Sequence, residues 1–303
     1  YALIHTELTP KKSPYKYLAG VGLAYILGYE LLTKTQENKD TTDLLDLFCI
    51  GTIADMAPLK GANRIILKKG LSKIQNTKIE GLKSVIKLSG LEGKEISSDD
   101  IGFKIAPRIN SVGRIDDPLK ILDLLTIKDI KYCMSLANEC EDINKRRKIL
   151  AEGIIFEAIA ILESDIKNIP PIIILAQKHW HIGVIGLVAA KITERFNRPT
   201  AILGESKEGI FTGSVRSING FSVIKLLNYC HKHLESYGGH EYAGGFKVKY
   251  ENFGKFSDEV YNYSIKQKTD ISTYKSIRPD ANLKFNDISI KFYEKLKELG
   301  PFG

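Results

Sequence analysis

The chain has 303 residues and a formal net charge of +8 at pH 7, with 43% hydrophobic and 26% charged residues. This length and composition are typical of a globular protein of two domains, and the positive charge favours an anionic partner such as nucleic acid. No apolar run has membrane-spanning length, and the first residues lack the apolar centre of a signal peptide, so we expect a cytoplasmic protein without a membrane partner. The four cysteines form no CxxC pair, which argues against a zinc knuckle.

The first part of the chain is predicted to form a compact core. Apolar runs at 18–32 and 43–59 suit packed helices or strands. Amphipathic periodicity predicts helices at 63–75, 81–89 and 117–127. Apolar residues spaced by three, four or seven then predict one long helix from 130 to about 165, whose length suggests a bridge between two domains.

A second domain is predicted after Pro170 and Pro171. Strands and helices alternate there, with strands at 172–176, 199–204, 209–217 and 246–250 and helices at 184–196 and 221–234. This alternation predicts an α/β domain with a mixed sheet. After about 268 we expect a strand and a helix that begin a third module, and the start at Tyr1 without Met favours a piece of a longer protein.

The stretch APRINSVGR at 106–114 is a candidate phosphate-binding segment. Its proline and glycine predict a loop in which Arg108 and Arg114 flank Asn110. Two guanidinium groups suit a phosphate because they donate paired hydrogen bonds. Ion pairs with Asp116 or Asp117 are an equally good interpretation of the same residues.

Two further segments place polar side chains beside predicted strands. In GSVRS, Ser214 and Arg216 stand at the end of a strand, where backbone, hydroxyl and guanidinium groups suit a phosphate; an arginine in solvent is the alternative. In KHWHIGVIG, His179 and His181 are predicted on one side of a strand, which raises the possibility of a metal. A packing role for Trp180 is favoured, because no third ligand is near.

The stretch YGGHEYAGG at 237–245 surrounds one histidine with four glycines. Amides of Gly238 and Gly239 are suited to turning toward a phosphate, with His240 as a further donor. A tight turn before a strand is the simpler interpretation of these residues.

Asp55 ends the apolar run LFCIGTIA. A carboxylate held at the end of a rigid element suits a divalent metal, because hard cations prefer oxygen ligands. An aspartate that only terminates a helix or forms a turn is the alternative.

Several strings together resemble the bacterial RecJ proteins, which are single-strand-specific 5′ to 3′ exonucleases of the DHH phosphoesterase superfamily. In order they are LAGVGLAYIL, LDLFCIGTIADMAPL, NRIILKKGL, IGFKIAPRINSVGRIDDP, WHIGVIGLVAAKI, GSVRSINGF, YGGHEYAGGF and LGPFG. The resemblance runs nearly from end to end, and the joint order is more specific than any single string.

The resemblance implies an α/β protein with four parts. They are the C-terminal part of a DHH phosphoesterase domain at 1–130, a bridging helix at 131–165, a DHH-associated substrate-binding domain at 166–267, and the truncated start of an OB-like domain at 268–303.

The same resemblance implies roles for individual residues. Asp55 matches the last metal-ligating aspartate of the family and is a catalytic candidate together with His240. Gly238, Gly239 and His240 match the glycine-histidine motif that binds substrate.

Further substrate-binding residues follow from the resemblance. Ser214 and Arg216 match residues expected to contact the 5′ phosphate or the backbone near it. Arg108, Asn110 and Arg114 match a loop beside the active site.

The implied function is 5′ to 3′ hydrolysis of single-stranded DNA in DNA repair and recombination, releasing 5′ mononucleotides with two Mn²⁺ or Mg²⁺ ions. The implied partners are single-stranded DNA with a 5′ phosphate, a helicase and a single-strand-binding protein. The chain contains no Asp-His-His triplet, which the family places ahead of the point matching Tyr1, and Asp55 alone does not hold two ions. We therefore expect this chain alone to be inactive.

Two other functions remain compatible with the sequence. One is a phosphodiesterase of the same superfamily that acts on short oligonucleotides or cyclic dinucleotides. The other is a non-catalytic relative that only binds nucleic acid.

Overall fold

The computed structural model describes residues 3–10, 12–35, 41–267 and 279–302. The chain forms two compact units, one made of Tyr1–Asn144 with Ala281–Gly303 and the other of Lys145–Asp280. Among the described residues, no helix combines the length and the apolar character that crossing a membrane requires.

Helices and strands alternate in the second unit, whereas the described residues of the first unit form helices and no strand. The helices are α1 Gly20–Lys34, α2 Leu45–Ala54, α3 Ala62–Ile74, α4 Glu80–Leu88, α5 Ser98–Asp100, α6 Ala106–Ile115, α7 Leu119–Thr126, α8 Ile130–Glu163, α9 Ile185–Phe196, α10 Val223–Tyr229, α11 Tyr250–Lys266 and α12 Ile290–Glu298. The strands are β1 Ile173–Ala176, β2 Thr200–Lys207, β3 Ile210–Arg216, β4 Ser236–Gly239 and β5 Ala243–Lys249.

The core of the first unit is helical. α2 is apolar on nearly all sides, and its Phe48 and Cys49 are fully buried. Leu67 of α3, Leu82 of α4 and Val112 of α6 pack in the same cluster. The apolar runs that suited either helices or strands are therefore both helices, and the helices predicted by amphipathic periodicity are confirmed.

The second unit contains a mixed five-stranded sheet in the order β1-β2-β3-β5-β4. β1 pairs with β2 in parallel, and the remaining neighbours are antiparallel. One cluster packs Trp180, Ile192 and Ile202 together, and a separate cluster packs Val215 and Phe246. The predicted α/β fold with a mixed sheet is confirmed.

Several predicted boundaries differ from the structure. α10 ends at Tyr229, earlier than the predicted 221–234, and α11 was not predicted as a helix. The predicted tight turn is also shorter, because the glycines that precede His240 belong to strand β4. Local sequence does not reveal this strand, since glycine is unfavourable in strands and the strand depends on pairing with β5.

The last part of the chain was predicted to begin a third module. Residues 268–278, which include much of the predicted strand, lie outside the described residues. Residues 279–302 contain α12 and no strand, and 281–303 group with the first unit. An OB-like start therefore stays a prediction.

Candidate functional site

One face of the sheet is covered by a helix over only part of its width. α9 packs on β2 and β3 on this face, whereas α10 packs on β4 and β5 from the opposite face, where a Cβ on Gly244 would meet Val223 and Leu227. Along β5, exposed Gly245, Lys247 and Lys249 alternate with buried residues. Cross-strand partners share a face, so Ser236 and Gly238 of β4 stand beside them. We call these five residues the open face.

Ser214 and Arg216 border the open face on β3. Ser214 pairs with Gly245, and Arg216 pairs with Ala243. Nη1 of Arg216 donates to the Ser214 hydroxyl oxygen at 3.0 Å and to the carbonyl oxygen of Val215 at 2.9 Å. The two residues singled out in GSVRS therefore lie side by side, and the guanidinium group is oriented by hydrogen bonds.

The first turn of α9 lies against this pair. A Cβ added at Gly186 would lie 3.1 Å from Nη2 of Arg216 and 3.2 Å from Oγ of Ser214. A glycine therefore lets the helix approach both side chains. Because the amino end of a helix carries a partial positive charge, this turn and Arg216 together favour an anion.

The two glycines that precede His240 have different structural roles. Gly239 has φ +151°, and a Cβ there would collide with the carbonyl oxygen of Ala243. A Cβ at Gly238 would meet no atom within 4 Å. Gly238 stands in one row with Gly245 and Ser214 across the three strands. The backbone explains Gly239, whereas neither conformation nor packing explains Gly238.

His240 is fixed in one orientation at the end of β4. Its backbone N–H donates to the carbonyl oxygen of Ala243 at 2.8 Å. Its Nδ1 accepts from the Tyr242 N–H at 3.3 Å, which places the proton of the neutral ring on Nε2. The carbonyl of Tyr242 in turn accepts from the Ser217 N–H at 3.0 Å. The exposed ring thus offers an Nε2–H donor at the same end of the sheet as Arg216.

The stretch APRINSVGR forms helix α6 rather than the predicted loop. Its proline lies in the first turn, where the missing N–H does not break a helix. Nε of Arg108 lies 2.5 Å from Oε2 of Glu141 in an ion pair, so the predicted partners Asp116 and Asp117 are wrong for this arginine. Asn110 and Arg114 are one helical turn apart and exposed. The helix therefore places Asn110 and Arg114 on one exposed side and separates them from Arg108, which contacts Glu141.

Asp55 is the C-terminal capping residue of α2, at the predicted junction between a packed element and a loop. Its N–H donates to the Gly51 carbonyl oxygen at 3.0 Å, and its side chain is exposed. Within the described part of the chain, no group of three His, Cys, Asp or Glu side chains could hold a metal ion. Asp55 therefore fits a single ligand of a metal site and does not form a complete one.

The predicted pair His179 and His181 lies in the turn after β1, not on a strand. The Trp180 indole N–H donates to Oε2 of Glu157 at 2.7 Å, and Nε2 of His179 lies 2.9 Å from the same oxygen. The indole N–H and the His179 ring hold the pKa of Glu157 below its usual value. The favoured packing role of Trp180 is confirmed, since its side chain is 1% exposed.

All four cysteines are buried as free thiols. Burial raises the pKa of Cys49 and of Cys230 to about 12, and that of Cys140 to about 11. Because a thiolate is the reactive form, these thiols are packing residues and not nucleophiles.

Sequence reasoning missed two residues of the candidate site. Lys247 and Lys249 are exposed on the open face. The alternation in FKVK already contained a signal, because the lysines fall on the face opposite to Phe246. Gly186 lets α9 approach the sheet closely, as the glycines of KHWHIGVIG indicate.

Comparison with known proteins adds a family to this geometry. Residues 169–266 match the DHHA1 domain. The chain is 35% identical over 303 residues to the single-stranded-DNA-specific exonuclease RecJ of Bacillus subtilis strain 168, covering all of this chain and 38% of that protein. It is 31% identical over 319 residues to the RecJ exonuclease of Haemophilus influenzae, covering 55% of that protein. The chain is therefore homologous along its whole length to part of these RecJ exonucleases.

Solved structures agree with this assignment. The crystal structure of RecJ in complex with Mn²⁺ from Thermus thermophilus matches with a TM-score of 0.77 at 32% identity, over 86% of this chain and 38% of that one. A manganese-bound exonuclease RecJ matches with a TM-score of 0.72 at 31% identity, over 87% of this chain and 64% of that one. This RecJ homologue therefore spans between about two fifths and two thirds of the length of the relatives described.

Proposed function

We propose that this RecJ homologue is the strand-holding part of a 5′ to 3′ exonuclease specific for single-stranded DNA, acting in DNA repair and recombination. The activity is supported by similarity to RecJ exonucleases along the whole chain. The observation that carries the binding role is the row of Ser214, Gly245 and Gly238 beside Arg216, with two glycines that neither packing nor conformation requires. A helicase and a single-strand-binding protein are the partners in this proposal.

The open face and its border hold the 5′ end of the strand in this proposal. Arg216 and Ser214 bind oxygens of the 5′ phosphate, beside the amino end of α9, because a hydrogen bond from the charged guanidinium to a phosphate is stronger than a neutral one. The bare backbone at Gly238 and Gly239 lets the strand come close to the amides. His240 donates from Nε2 to a phosphate oxygen.

The α6 residues take separate roles in the proposal. Asn110 and Arg114 are exposed one turn apart and bind the strand. Arg108 is held by Glu141 and acts near substrate only in the orientation that this ion pair sets.

Hydrolysis in the proposal uses Mn²⁺ or Mg²⁺, with Asp55 as one ligand. Two-ion hydrolysis needs ions about 3.5–4 Å apart, held by several carboxylate and imidazole groups. One exposed carboxylate does not provide them. We therefore assign hydrolysis to a longer protein and expect this chain to bind single strands without cleaving them.

Arg216→Ala tests the proposal. Paired single strands that differ only in a 5′ phosphate or a 5′ hydroxyl are titrated by fluorescence anisotropy with Mn²⁺ present, and released mononucleotides are measured in parallel. Loss of a charge-assisted contact should cost about 1.5–3 kcal/mol with the phosphorylated strand and much less with the hydroxyl strand.

Lys255→Ala is the matched control, because this exposed lysine lies on α11, which packs against the opposite face of the sheet. Equal losses on both strands would remove Arg216 from the 5′ phosphate site. Cleavage by the wild-type chain that Asp55→Ala abolishes would refute the assignment of hydrolysis to a longer protein.

A further inference from the structure

The open face continues beyond the residues assigned to the 5′ phosphate. Along β5, Ala243 pairs with Arg216, Gly245 with Ser214, Lys247 with Thr212 and Lys249 with Ile210. Alternate residues of a strand lie on one face and repeat every two residues, about 6.6–6.8 Å. Arg216 therefore begins a line of residues that passes Gly245 and Gly238 and continues at Lys247 and Lys249.

The charges along this line are positive and accessible. Lys247 and Lys249 are both exposed. Nζ of Lys249 lies 3.6 Å from Oε1 of Glu235, and the two side chains are 46% and 43% exposed, so this ion pair is weak. The open face itself contains no carboxylate. Its charge therefore complements a polyanion.

A solvated strand face is the ordinary explanation for alternating lysines. That explanation does not account for Gly238 and Gly245, because a solvated strand gains stability from β-branched residues. A glycine inside a strand is less favourable than alanine because it loses more backbone conformational freedom on folding. A Cβ at Gly245 would meet only the Gly213 carbonyl oxygen, at an ordinary 3.8 Å. Gly238 and Gly245 thus leave the backbone without side chains at a cost to the stability of the sheet.

We propose that the open face is a track for the sugar-phosphate backbone that follows the 5′ nucleotide, with Lys247 and then Lys249 binding successive later phosphates. The proposal rests on the proposed function and adds a direction to it. The 5′ end lies at Arg216, and the strand runs toward its 3′ end along β5. The two-residue repeat of β5 is close to the separation of neighbouring phosphates in an extended DNA single strand, so each lysine binds one phosphate.

Strand length provides the first test. Affinities of the wild type, Lys247→Ala and Lys255→Ala are measured for a 5′-phosphorylated dinucleotide and for a 5′-phosphorylated strand of about 12 nucleotides. Lys247→Ala should weaken the long strand about fivefold, reduce the slope of log affinity against log salt by about 0.7, and leave the dinucleotide unchanged. Lys255→Ala should change neither.

Neutral linkages provide the direction. Single methylphosphonates are placed at successive linkages of the long strand, which removes one negative charge at a time. A methylphosphonate at the linkage bound by Lys247 should weaken binding to the wild type and leave binding to Lys247→Ala unchanged. The linkage bound by Lys249 should lie farther from the 5′ end. The reverse order would overturn the direction.

The outcomes separate this inference from the function on which it rests. If Lys247→Ala and Lys255→Ala have equal effects, or if Lys247→Ala weakens the dinucleotide as much as the long strand, the track is wrong. If Arg216→Ala weakens binding of 5′-phosphate and 5′-hydroxyl strands equally, the proposed role of Arg216 in binding the 5′ phosphate is wrong. A wild type that binds the dinucleotide as tightly as the long strand would overturn the track and favour a short-oligonucleotide enzyme.

Discussion

The open face and helix α6 place their candidate site residues in opposite ways, since the sheet brings distant residues together and the helix divides close ones. Register between strands brings Ser214, Gly245 and Gly238 into one row, although they are distant in sequence. In α6, residues that are close in sequence are divided, so that Arg108 pairs with Glu141 while Asn110 and Arg114 are exposed. Closeness in sequence is therefore a poor guide to a site. Whether residues form a strand or a helix decides which side chains lie together.

Gly239 lies at the end of β4, next to the open face, and replacing it should change stability most. Gly239→Ala forces a side chain into φ +151° and against the Ala243 carbonyl, which should lower the free energy of unfolding by at least about 1–3 kcal/mol. Gly245→Ala is the matched control in the neighbouring strand. It should leave stability equal or slightly higher, by up to about 1 kcal/mol. Chemical denaturation measures both.

Equal stability of the two variants would contradict the structural distinction between these glycines. Gly245→Ala also tests binding, because its added methyl group lies on the open face, where the DNA strand is proposed to bind.

A second prediction tests the α6 side of the comparison. The Arg108 and Glu141 side chains are only 16% and 20% exposed, so Glu141→Ala leaves a half-buried guanidinium without its ion partner. We expect a loss of about 1–3 kcal/mol in the free energy of unfolding. Binding of single strands should also weaken if the ion pair orients Arg108 toward the strand.

Lys191→Ala is the control for an exposed ion pair. Lys191 and Glu194 are 60% and 56% exposed, and such pairs contribute about 0–0.5 kcal/mol. A loss for Glu141→Ala no larger than for Lys191→Ala would show that Arg108 needs no fixed partner.

Periodicity was sufficient to predict most of the fold. The long helix α8 and the helices of the first unit have apolar residues at helical spacing, and the pattern is local. Strand β4 was missed because its sequence SYGG has no strand pattern of its own and depends on pairing with β5. The loop predicted at α6 was wrong because a proline in the first turn is compatible with a helix.

The candidate site was predictable only in part. Ser214, Arg216 and His240 stood out as residue types that suit a phosphate, yet their nearness to one another depends on strand register, which no local pattern specifies. The contrast between Gly238 and Gly239 is likewise invisible in sequence. It requires the backbone angle of one residue and the empty space beside the other.

Gly238→Thr is the most direct test of the claim that the open face holds the strand. A Cβ there meets nothing within 4 Å, and threonine favours strands, so stability should stay equal or rise slightly. The measurement is anisotropy titration of a 5′-phosphorylated single strand, with the melting temperature recorded on the same sample. We expect an unchanged or higher Tm together with at least about tenfold weaker binding, a loss of about 1.4 kcal/mol. Wild-type affinity in a folded Gly238→Thr variant would contradict it.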